Sequence, residues 1–341
     1  MSGGIDSSAA AYLLKELGHE VTGVTFTSLK EEGFKKCCSI EEITSARTVC
    51  AHLDIPHRIL DVKDIFQAKI IKYFIDSYKA GLTPNPCVLC NRFVKFGALL
   101  EYGLSEGAEF VATGHYARTQ EHEGNIYIRK GADLQKDQSY FISYIEKEKI
   151  PYIIFPLGEY NKPEVRDLVR SSGIPIQADK VESQDICFVP GDYRDFLLNR
   201  GVRENPGDFI FQGKIVGRHK GIPFYSYGQR RGLNVAAGER IFIERFDLEN
   251  NRIILGPKPL SKEFAVEKLN VFPESLPEGR YDVTVRYKSS CIKAAVSFYN
   301  GLAHVDLDTP CEIISPGQFA VIYQNDLVYA SGIIKEVKNI K

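Results

Sequence analysis

The sequence predicts an α/β fold: a parallel-sheet domain followed by a small central β-rich domain and a C-terminal β-barrel. Three observations carry this prediction. Helical and strand patterns alternate through the first half, and a glycine-rich loop opens the chain directly before the first helix. Beyond Pro206, short runs of Val, Ile, Phe and Tyr are separated by Gly, Pro and Asn turns. With 341 residues, 44% of them hydrophobic, the chain is long enough to form several domains with real cores.

The elements of the first half follow in order. Apolar residues repeat at helical spacing from Asp6 to Leu17, and Gly18 is a plausible stop. The next predicted elements are a strand at Glu20–Phe26, a helix at Glu41–Leu53, a strand at His57–Val62, a helix at Ile65–Lys79, a helix after Asn91 and a strand at Glu109–Thr113. Two further helices are predicted at Gln138–Glu148 and Pro163–Ser172. Strands that alternate with such helices form a parallel sheet covered on both faces.

The change of texture in the second half places domain boundaries near residues 200 and 262. We therefore expect three domains, at residues 1–200, 201–262 and 263–341. The last two read as small antiparallel β domains because their short apolar runs are closed by turn residues.

Charge and cysteine content limit the class of protein. No apolar run reaches the roughly 18 residues of a membrane span, and the N-terminus lacks the pattern of a signal peptide. Eight cysteines in so long a chain are too few for a disulfide scaffold, so grouped cysteines point to chemistry or metal. These features favour a cytoplasmic protein with no membrane partner. The formal charge of -1 requires any nucleic-acid site to be a local concentration of charge.

The glycine-rich opening is a candidate phosphate site. It reads Ser2-Gly3-Gly4-Ile5-Asp6-Ser7-Ser8. Adjacent glycines let backbone N–H groups converge on an anion at a helix N-terminus, and the hydroxyls add donors. The alternative is an ordinary turn with Asp6 or Ser7 as helix N-cap. The loop lacks the Lys-Ser/Thr ending of a Walker P-loop, and no G-x-G-x-x-G opens a βαβ unit elsewhere.

Three cysteines are candidate reactive groups. Cys87 and Cys90 follow two prolines, which we expect to exclude helix and to hold both thiols on a loop before the helix near Asn91. A nearby helix N-terminus favours thiolates, which serve as nucleophiles and as metal ligands. Cys187 follows a polar stretch typical of an active-site loop. The alternative is that all three are inert, packed cysteines.

A basic segment with no acidic residue runs from Phe209 to Gly238. It contains basic residues with aromatic residues between them, namely Lys214, Arg218, Lys220, Arg230, Arg231, His219, Phe224, Tyr225 and Tyr227. This pattern fits phosphate contact and base stacking in RNA recognition. The alternative is a solvated surface with a few core aromatics.

The opening loop resembles the pyrophosphate loop of the PP-loop ATP pyrophosphatases, which have an adenine nucleotide alpha hydrolase-like domain. These enzymes cleave ATP between the α- and β-phosphates and adenylate a substrate. A loop of this kind normally follows a buried strand, whereas only Met1 precedes it here. We therefore expect the first strand of the sheet to be missing from this sequence.

Five segments together are similar to the tRNA-specific 2-thiouridylase family over essentially the whole chain. They are Thr83 to Asn91, Ala112 to Tyr116, Lys136 to Phe141, Ser183 to Phe188 and Gly228 to Leu233. The resemblance implies ATP-dependent 2-thiolation of the wobble uridine of tRNA, in Lys, Glu and Gln tRNAs, with Mg²⁺ on the phosphates. In that reaction the uridine 2-oxygen is adenylated and a cysteine persulfide delivers the sulfur, so that AMP and pyrophosphate are released. A cysteine desulfurase or a persulfide relay protein would supply the sulfur.

The resemblance also implies roles for individual residues. Cys187 would carry the persulfide and Cys90 would be the second catalytic cysteine, able to form a transient disulfide with it. ATP would contact Ser2, Gly3, Gly4, Asp6, Ser7, Phe26 and Gly114. The tRNA would contact Asn85, Pro86, Cys87, Lys136, Asp137, Gln138, Arg286 and Tyr287, and we add Arg230 and Arg231 from the basic segment.

Cys87 departs from many relatives, which have Asp at this position. Cys87, Cys90 and Cys187 would also suit a [4Fe–4S] cluster that holds an exogenous sulfide, although we favour the persulfide route. Zinc is less attractive because no second Cys-x-x-Cys completes a tetrad. No role is assigned to Cys37 and Cys38.

Two other functions compete with thiolation. One is a PP-loop adenylating enzyme that needs no cysteine, such as an amidotransferase-type synthetase. The other is a non-catalytic RNA-binding protein that keeps the fold. A methyltransferase is not supported, because no glycine-rich methyl-donor loop follows a strand.

Overall fold

The computed structural model describes residues 1–28, 40–176, 186–189, 191–274 and 276–340. The chain forms two compact units. Unit 1 consists of Met1–Ile70, Cys87–Pro190 and Asp326–Val328, and unit 2 of Ile71–Pro86, Gly191–Asn325 and Tyr329–Lys341. No helix of the described residues is long and apolar enough to cross a membrane.

The helices and strands are numbered along the chain. The α-helices of the described residues are α1 Ile5–Glu16, α2 Ile40–His52, α3 Lys63–Phe66, α4 Lys72–Lys79, α5 Pro86–Cys90, α6 Leu99–Ser105, α7 Ser139–Ile142, α8 Lys162–Ser171 and α9 Tyr193–Asn199. π-helical turns span Gln67–Ile71 and Asn91–Ala98, and 3₁₀ turns span Lys147–Tyr152 and Ile222–Phe224. The strands are β1 Gly23–Thr27, β2 His57–Asp61, β3 Val111–Ala112, β4 Ala117–His122, β5 Asn125–Lys130, β6 Ile153–Ile154, β7 Gly207–Phe211, β8 Lys214–His219, β9 Phe242–Asp247, β10 Arg252–Gly256, β11 Leu260–Val271, β12 Gly279–Thr284, β13 Ile292–Tyr299, β14 Leu302–Glu312, β15 Phe319–Gln324 and β16 Leu327–Asn339.

Unit 1 contains the predicted parallel strands, paired two by two. β1 pairs with β2 from Gly23 opposite His57, and β3 pairs with β6 from Val111 opposite Ile153. Side chains of the first pair pack on one apolar cluster with α6 and β3, formed by Val24, Phe26, Leu60, Leu99, Leu100, Tyr102 and Val111. The predicted parallel arrangement is confirmed.

Helices α1 and α8 of unit 1 share a second apolar cluster. Ala9 of α1 and Val165 of α8 are fully buried in it, and Val49 of α2 joins them. Because alanine adds little bulk to α1, neighbouring helices approach it closely. This packing holds the start of α1 in place, which is where the glycine-rich loop ends.

Of two predicted helices of the first half, one is helical throughout but includes a π-helical turn, and the other is wrong in extent. The helix predicted over Ile65–Lys79 contains the π-helical turn at Gln67–Ile71 between α3 and α4. The helix predicted over Gln138–Glu148 stops at Ile142, and a separate 3₁₀ turn contains Pro151. Proline lacks the N–H that a continuing α-helix needs, which fits the tighter turn.

The hairpin of β4 and β5 was not predicted. Its strands pair from Ala117 opposite Lys130 to His122 opposite Asn125. Glu123 and Gly124 form the turn with φ of 50° and 76°, the left-handed values of a type I′ hairpin. β4 carries polar side chains at most positions, and such a strand lacks the apolar alternation on which the prediction relied.

The strands of unit 2 are mainly antiparallel, as predicted, with one parallel pair. One four-stranded sheet has the order β8-β7-β10-β9, in which β7 and β10 are parallel. The six strands of the C-terminal part have the order β11-β14-β13-β12-β15-β16, and β11 pairs with β16 to close them into a barrel. Its interior is filled by alternate apolar side chains such as Val283, Val305 and Ile322.

Candidate active site

The glycine-rich loop adopts a conformation that only glycine permits at one position. Gly3 has a φ of +67°, and a Cβ there would lie 2.6 Å from the Cβ of Ser45 on α2. The hydroxyl of Ser45 donates to the Gly3 carbonyl at 2.9 Å, which ties the loop to α2. A glycine is therefore required both for the backbone angle and for the close approach.

Gly4 is the N-cap of α1 and provides no side-chain cap, so the alternative with Asp6 or Ser7 as N-cap is wrong. The hydroxyls of Ser2 and Ser7 lie 3.1 Å apart beside it. A helix start without a side-chain cap, next to two hydroxyls, is suited to receive an anion.

Gly114 lies directly against this helix start. A Cβ at Gly114 would be 2.6 Å from the carbonyl carbon of Asp6 and 2.9 Å from the Asp6 Cβ. The two residues are far apart in sequence, and both were predicted to contact ATP. The structure thus brings Gly114 and the loop together, and only a glycine fits the gap.

The carboxylate of Asp6 is held by two donors. The ammonium of Lys162 lies 2.7 Å from Oδ1, and the hydroxyl of Tyr116 donates to the same oxygen at 2.8 Å. The Lys162 side chain is only 5% exposed, whereas that of Asp6 is 32% exposed. No sequence motif indicates this lysine, because only the fold brings α8 to the start of α1.

Phe26 lies on β1 and is half-buried against the cluster of Leu99 and Val111. The loop reaches the same strand, because the carbonyl of Met1 accepts a hydrogen bond from the Thr25 hydroxyl at 2.7 Å. The amino group of Met1 donates to the carbonyl of Val24. Phe26 is therefore next in sequence to a residue that contacts Met1, which directly precedes the loop.

The cysteine pair lies on a helix, which corrects the prediction of a loop. α5 begins at Pro86 and runs through Cys87 to Cys90, where the π-helical turn continues it. Proline is tolerated in the first turn because its missing N–H would have no partner inside the helix. Cys87 is therefore in the first turn and Cys90 at the end of α5.

The thiol of Cys87 is less acidic than that of an ordinary cysteine. Burial, and to a smaller extent the nearby Cys187, raise the pKa of Cys87 to about 11, while the charge of Lys95 acts in the opposite direction. A thiol with this pKa stays protonated near neutral pH. Cys187, in contrast, is exposed.

Cys187 lies in a short turn that is anchored by its neighbour. The Val189 N–H donates to the Ile186 carbonyl at 3.0 Å. Phe188 is buried and packs edge-on against Phe66 with ring centroids 5.6 Å apart. This packing fixes the backbone beside Cys187 while the thiol remains accessible. Cys37, Cys38 and Ser183 to Asp185 lie outside the described residues.

Lys95 and His115 were also missed as site residues, although His115 belongs to a segment that carried the resemblance. Lys95 Nζ lies 3.4 Å from His115 Nε2, and the Thr113 hydroxyl is 2.8 Å from Nδ1. Burial and the charge of Lys95 hold the pKa of His115 well below 6.5. The imidazole is therefore neutral, with Nε2 as the acceptor for the lysine.

Cys87, Cys90 and Cys187 were also considered as ligands of an iron–sulfur cluster. In the described part of the chain, no three His, Cys, Asp or Glu side chains are grouped so that they could hold a metal ion. Cys87, Cys90 and Cys187 all lie in that part. The [4Fe–4S] assignment to these three cysteines therefore stays a prediction.

The segment Lys136-Asp137-Gln138 is a braced loop. Asp137 Oδ1 accepts from the N–H groups of Gly131 and Ser139, and Oδ2 accepts from the Ser139 hydroxyl. Burial nevertheless raises the pKa of Asp137. Gln138 accepts from the Tyr116 N–H through Oε1 at 3.0 Å. Asp137 and Gln138 thus use their side chains to fix the loop.

The basic segment is split between surface and core. Arg230 and Arg231 are exposed, and they line a pocket of about 860 Å³ together with Gln229, Arg240, Phe242, Pro257 and Lys258. Phe224 and Tyr225 are buried, so the expected stacking role is wrong for both. The hydroxyl of Tyr227 donates to Asn339 at 2.9 Å.

Arg286 and Tyr287 lie in the turn between β12 and β13. Arg286 is exposed, and its carbonyl accepts from the Ser289 N–H at 3.1 Å. The Lys288 ammonium lies over the Tyr287 ring, 5.5 Å from its centroid. Two basic side chains and one aromatic ring are thus presented together on one hairpin. Asn85 and Pro86 belong to the segment that enters α5.

Three family models match consecutive parts of the chain. They are described as the tRNA methyl transferase HUP domain at residues 1–191, the tRNA methyl transferase PRC-barrel domain at 194–257, and the aminomethyltransferase beta-barrel domain at 261–334. The first alone covers more than half of the chain.

Curated relatives match nearly the full length. The chain is 42% identical to the tRNA-specific 2-thiouridylase MnmA of Moorella thermoacetica, with 100% of this chain and 99% of the relative covered. It is 39% identical to the protein of the same name from Fervidobacterium nodosum, with 98% of each chain covered. The protein of that name from Chloroflexus aurantiacus is 42% identical, with 98% of this chain and 96% of the relative covered. The chain belongs to the tRNA-specific 2-thiouridylase family.

Proposed function

We propose that this chain catalyses ATP-dependent 2-thiolation of the wobble uridine of tRNA, in Lys, Glu and Gln tRNAs. The single observation that carries the proposal is the contact of Gly114 with Asp6, which completes a glycine-lined anion site at the start of α1. Family membership supplies the class of substrate.

The glycine-rich loop, the phosphate loop of this scheme, takes part in the first step. The start of α1 and the hydroxyls of Ser2 and Ser7 bind the phosphates of ATP, which arrives with Mg²⁺. The uridine 2-oxygen attacks the α-phosphorus, pyrophosphate leaves, and the oxygen becomes part of a good leaving group. A pyrimidine carbonyl oxygen does not leave without this activation.

The cysteines provide the second step. The terminal sulfur of a Cys187 persulfide attacks C2 of the activated uridine, and AMP leaves with the original oxygen. The Cys90 thiolate then attacks Sγ of Cys187, which breaks the sulfur–sulfur bond to the base and forms a Cys90–Cys187 disulfide. An external reductant, a thiol, restores both cysteines. The persulfide comes from a cysteine desulfurase or a persulfide relay protein.

Cys87 has a different part in this scheme. Because burial raises the pKa of Cys87 to about 11, its protonated thiol is a poor nucleophile. It therefore does not compete with Cys90 for the disulfide. We assign Asn85, Pro86 and Cys87 to contact with the flipped base.

Binding of the tRNA body is assigned to exposed basic groups. Arg230, Arg231 and Arg286 present guanidinium groups that suit phosphates, and Lys136 adds an ammonium from the braced loop. Tyr287 offers a ring for stacking. In the proposed division into domains 1–200, 201–262 and 263–341, Lys136 lies in the first domain, Arg230 and Arg231 in the second, and Arg286 and Tyr287 in the third.

Reconstitution tests the proposal. The chain is incubated with ATP, Mg²⁺, unmodified tRNA and a persulfide source, and 2-thiouridine is measured by mass spectrometry of nucleosides. Cys90→Ser and Cys187→Ser are each expected to reduce product at least about a hundredfold, whereas Cys87→Ser retains activity within about tenfold. Cys291→Ser, on the exposed barrel surface, is the matched control.

The outcomes separate the competing functions. Adenylation without any need for Cys187 would favour an amidotransferase-type synthetase, and tRNA binding without ATP binding would favour a non-catalytic RNA-binding protein. Loss of activity in Cys87→Ser, together with loss of bound iron, would favour the [4Fe–4S] route over the persulfide. Full activity of both Cys90→Ser and Cys187→Ser would refute the proposed mechanism.

A further inference from the structure

The ion pair between Lys162 and Asp6 lies at the start of α1, next to the glycine-rich loop, and its lysine is buried. Lys162 is the first residue of α8, and its side chain is 5% exposed although lysine is normally a surface residue. Its ammonium donates to Asp6 Oδ1 at 2.7 Å and lies 5.6 Å from the centroid of the Tyr116 ring. Burying an ammonium is costly unless a charged partner compensates for it.

The backbone of Lys162 is fixed as firmly as its side chain. Asn161 caps α8 and forms a reciprocal capping box with Glu164. The Lys162 N–H donates to Asp133 Oδ2 at 3.1 Å, which joins α8 to the loop before Lys136. The direction in which the lysine leaves the helix is therefore determined by local bonds.

The negative charge of Asp6 disfavours phosphate binding, and the positive charge of Lys162 compensates for it. Its carboxylate lies in the first turn of α1, where the proposed phosphates bind, and a negative charge there repels a polyphosphate. Lys162 neutralises this charge from the protein interior. The Tyr116 hydroxyl holds the same oxygen at 2.8 Å and so limits rotation of the carboxylate.

We infer that Lys162 is a positioning residue for the nucleotide, which acts through Asp6 and keeps the phosphate loop receptive to polyphosphate. This inference rests on the proposed use of ATP. It predicts that removing the lysine weakens nucleotide binding only while residue 6 carries a negative charge.

A double-mutant cycle tests this prediction. The dissociation constant for α,β-methylene-ATP with Mg²⁺ is measured by calorimetry for the parent chain, Lys162→Met, Asp6→Asn and the double variant. Lys162→Met is expected to weaken binding on the order of tenfold or more, because an uncompensated carboxylate then faces the phosphates. In the Asp6→Asn background the same change is expected to weaken binding less than about threefold.

Two further variants separate positioning from a structural role. Lys162→Arg keeps the charge and is expected to bind the analogue within about threefold of the parent. Arg170→Met removes a charge from the same helix, where Arg170 pairs with Asp167 on the surface, and is expected to leave binding unchanged. In turnover assays, Lys162→Met is expected to raise the KM for ATP more than it lowers kcat. If Lys162→Met does not fold, the comparison of Asp6→Asn with the double variant, which contains no unpaired charge, decides the test.

Three outcomes would overturn the inference. Binding of the analogue by Lys162→Met as tightly as by the parent is the first. Equal weakening by Lys162→Met in both backgrounds is the second, because the lysine would then not act through Asp6. A parent chain that does not bind the analogue is the third, and only this result overturns the proposed use of ATP as well.

Discussion

Lys95 Nζ lies 3.4 Å from Nε2 of His115, so a charged ammonium and a neutral imidazole share one hydrogen bond. Lys95 belongs to the π-helical turn that continues α5. The arrangement requires that His115 remain neutral, because a proton on Nε2 would place two positive charges in contact. The Thr113 hydroxyl at Nδ1 then accepts from the ring N–H.

This pair predicts a pH dependence of stability. The pKa of His115 is held well below 6.5 by burial and by Lys95, so below about pH 6.5 the unfolded chain binds a proton that the folded chain does not. The free energy of unfolding should therefore fall on acidification, by up to about 1.4 kcal/mol per pH unit from this residue. Above pH 6.5 the contribution is constant.

Urea unfolding of the parent and of His115→Gln between pH 7.5 and 5.5 measures the effect. We expect the variant to lose stability less steeply than the parent as the pH falls. His19, which is exposed, provides the control substitution His19→Gln. Parallel curves for the parent and His115→Gln would contradict a neutral His115.

Gly114→Ala is predicted to damage the nucleotide site. The added Cβ would lie 2.6 Å from the Asp6 carbonyl carbon, so backbone must move, at a cost of about 1–3 kcal/mol in stability. We expect at least about a tenfold loss of affinity for α,β-methylene-ATP, measured by calorimetry. Gly279→Ala is the control, since a Cβ there would meet Tyr281 at an ordinary 3.5 Å. Unchanged binding by Gly114→Ala would remove Gly114 from the site.

The cysteines are predicted to alkylate in a fixed order. Burial raises the pKa of Cys87 to about 11, so about one Cys87 in a thousand is a thiolate at pH 8. Cys187 is exposed and should react with iodoacetamide at least about ten times faster, as followed by peptide mass spectrometry. The rate for Cys87 should rise about tenfold per pH unit up to its pKa. Equal rates at pH 8 would show that Cys87 is not shielded.

Arg230 and Arg231 are predicted to contact phosphates. The double substitution to Gln should weaken tRNA binding and lower the slope of log affinity against log salt by about 1–2. Filter binding at several salt concentrations measures both quantities. Lys338→Gln is the control, because Lys338 lies 2.7 Å from Glu263 and is already paired. An unchanged slope in the arginine variant would place the tRNA elsewhere.

The sequence by itself determined the parts of this protein that local pattern encodes. Two glycines before an apolar helical repeat identified the loop at the start of α1, since the left-handed φ of Gly3 favours glycine. Alternation of strands and helices gave the parallel pairs, and turn residues gave the β domains. The five ordered segments were sufficient to identify the family.

Tertiary structure decided which distant residues meet. Lys162 and Asp6 are separated by 156 positions, and no local pattern states that a lysine at the start of α8 will be buried against α1. Pro86 is tolerated in α5 because it lies in the first turn, where its missing N–H would have no partner inside the helix. Phe224 and Tyr225 fill the core although a basic segment surrounds them in sequence, because burial of apolar area outweighs their neighbours' charge. Pairing and burial depend on the whole fold, whereas a sequence motif specifies only the backbone nearby.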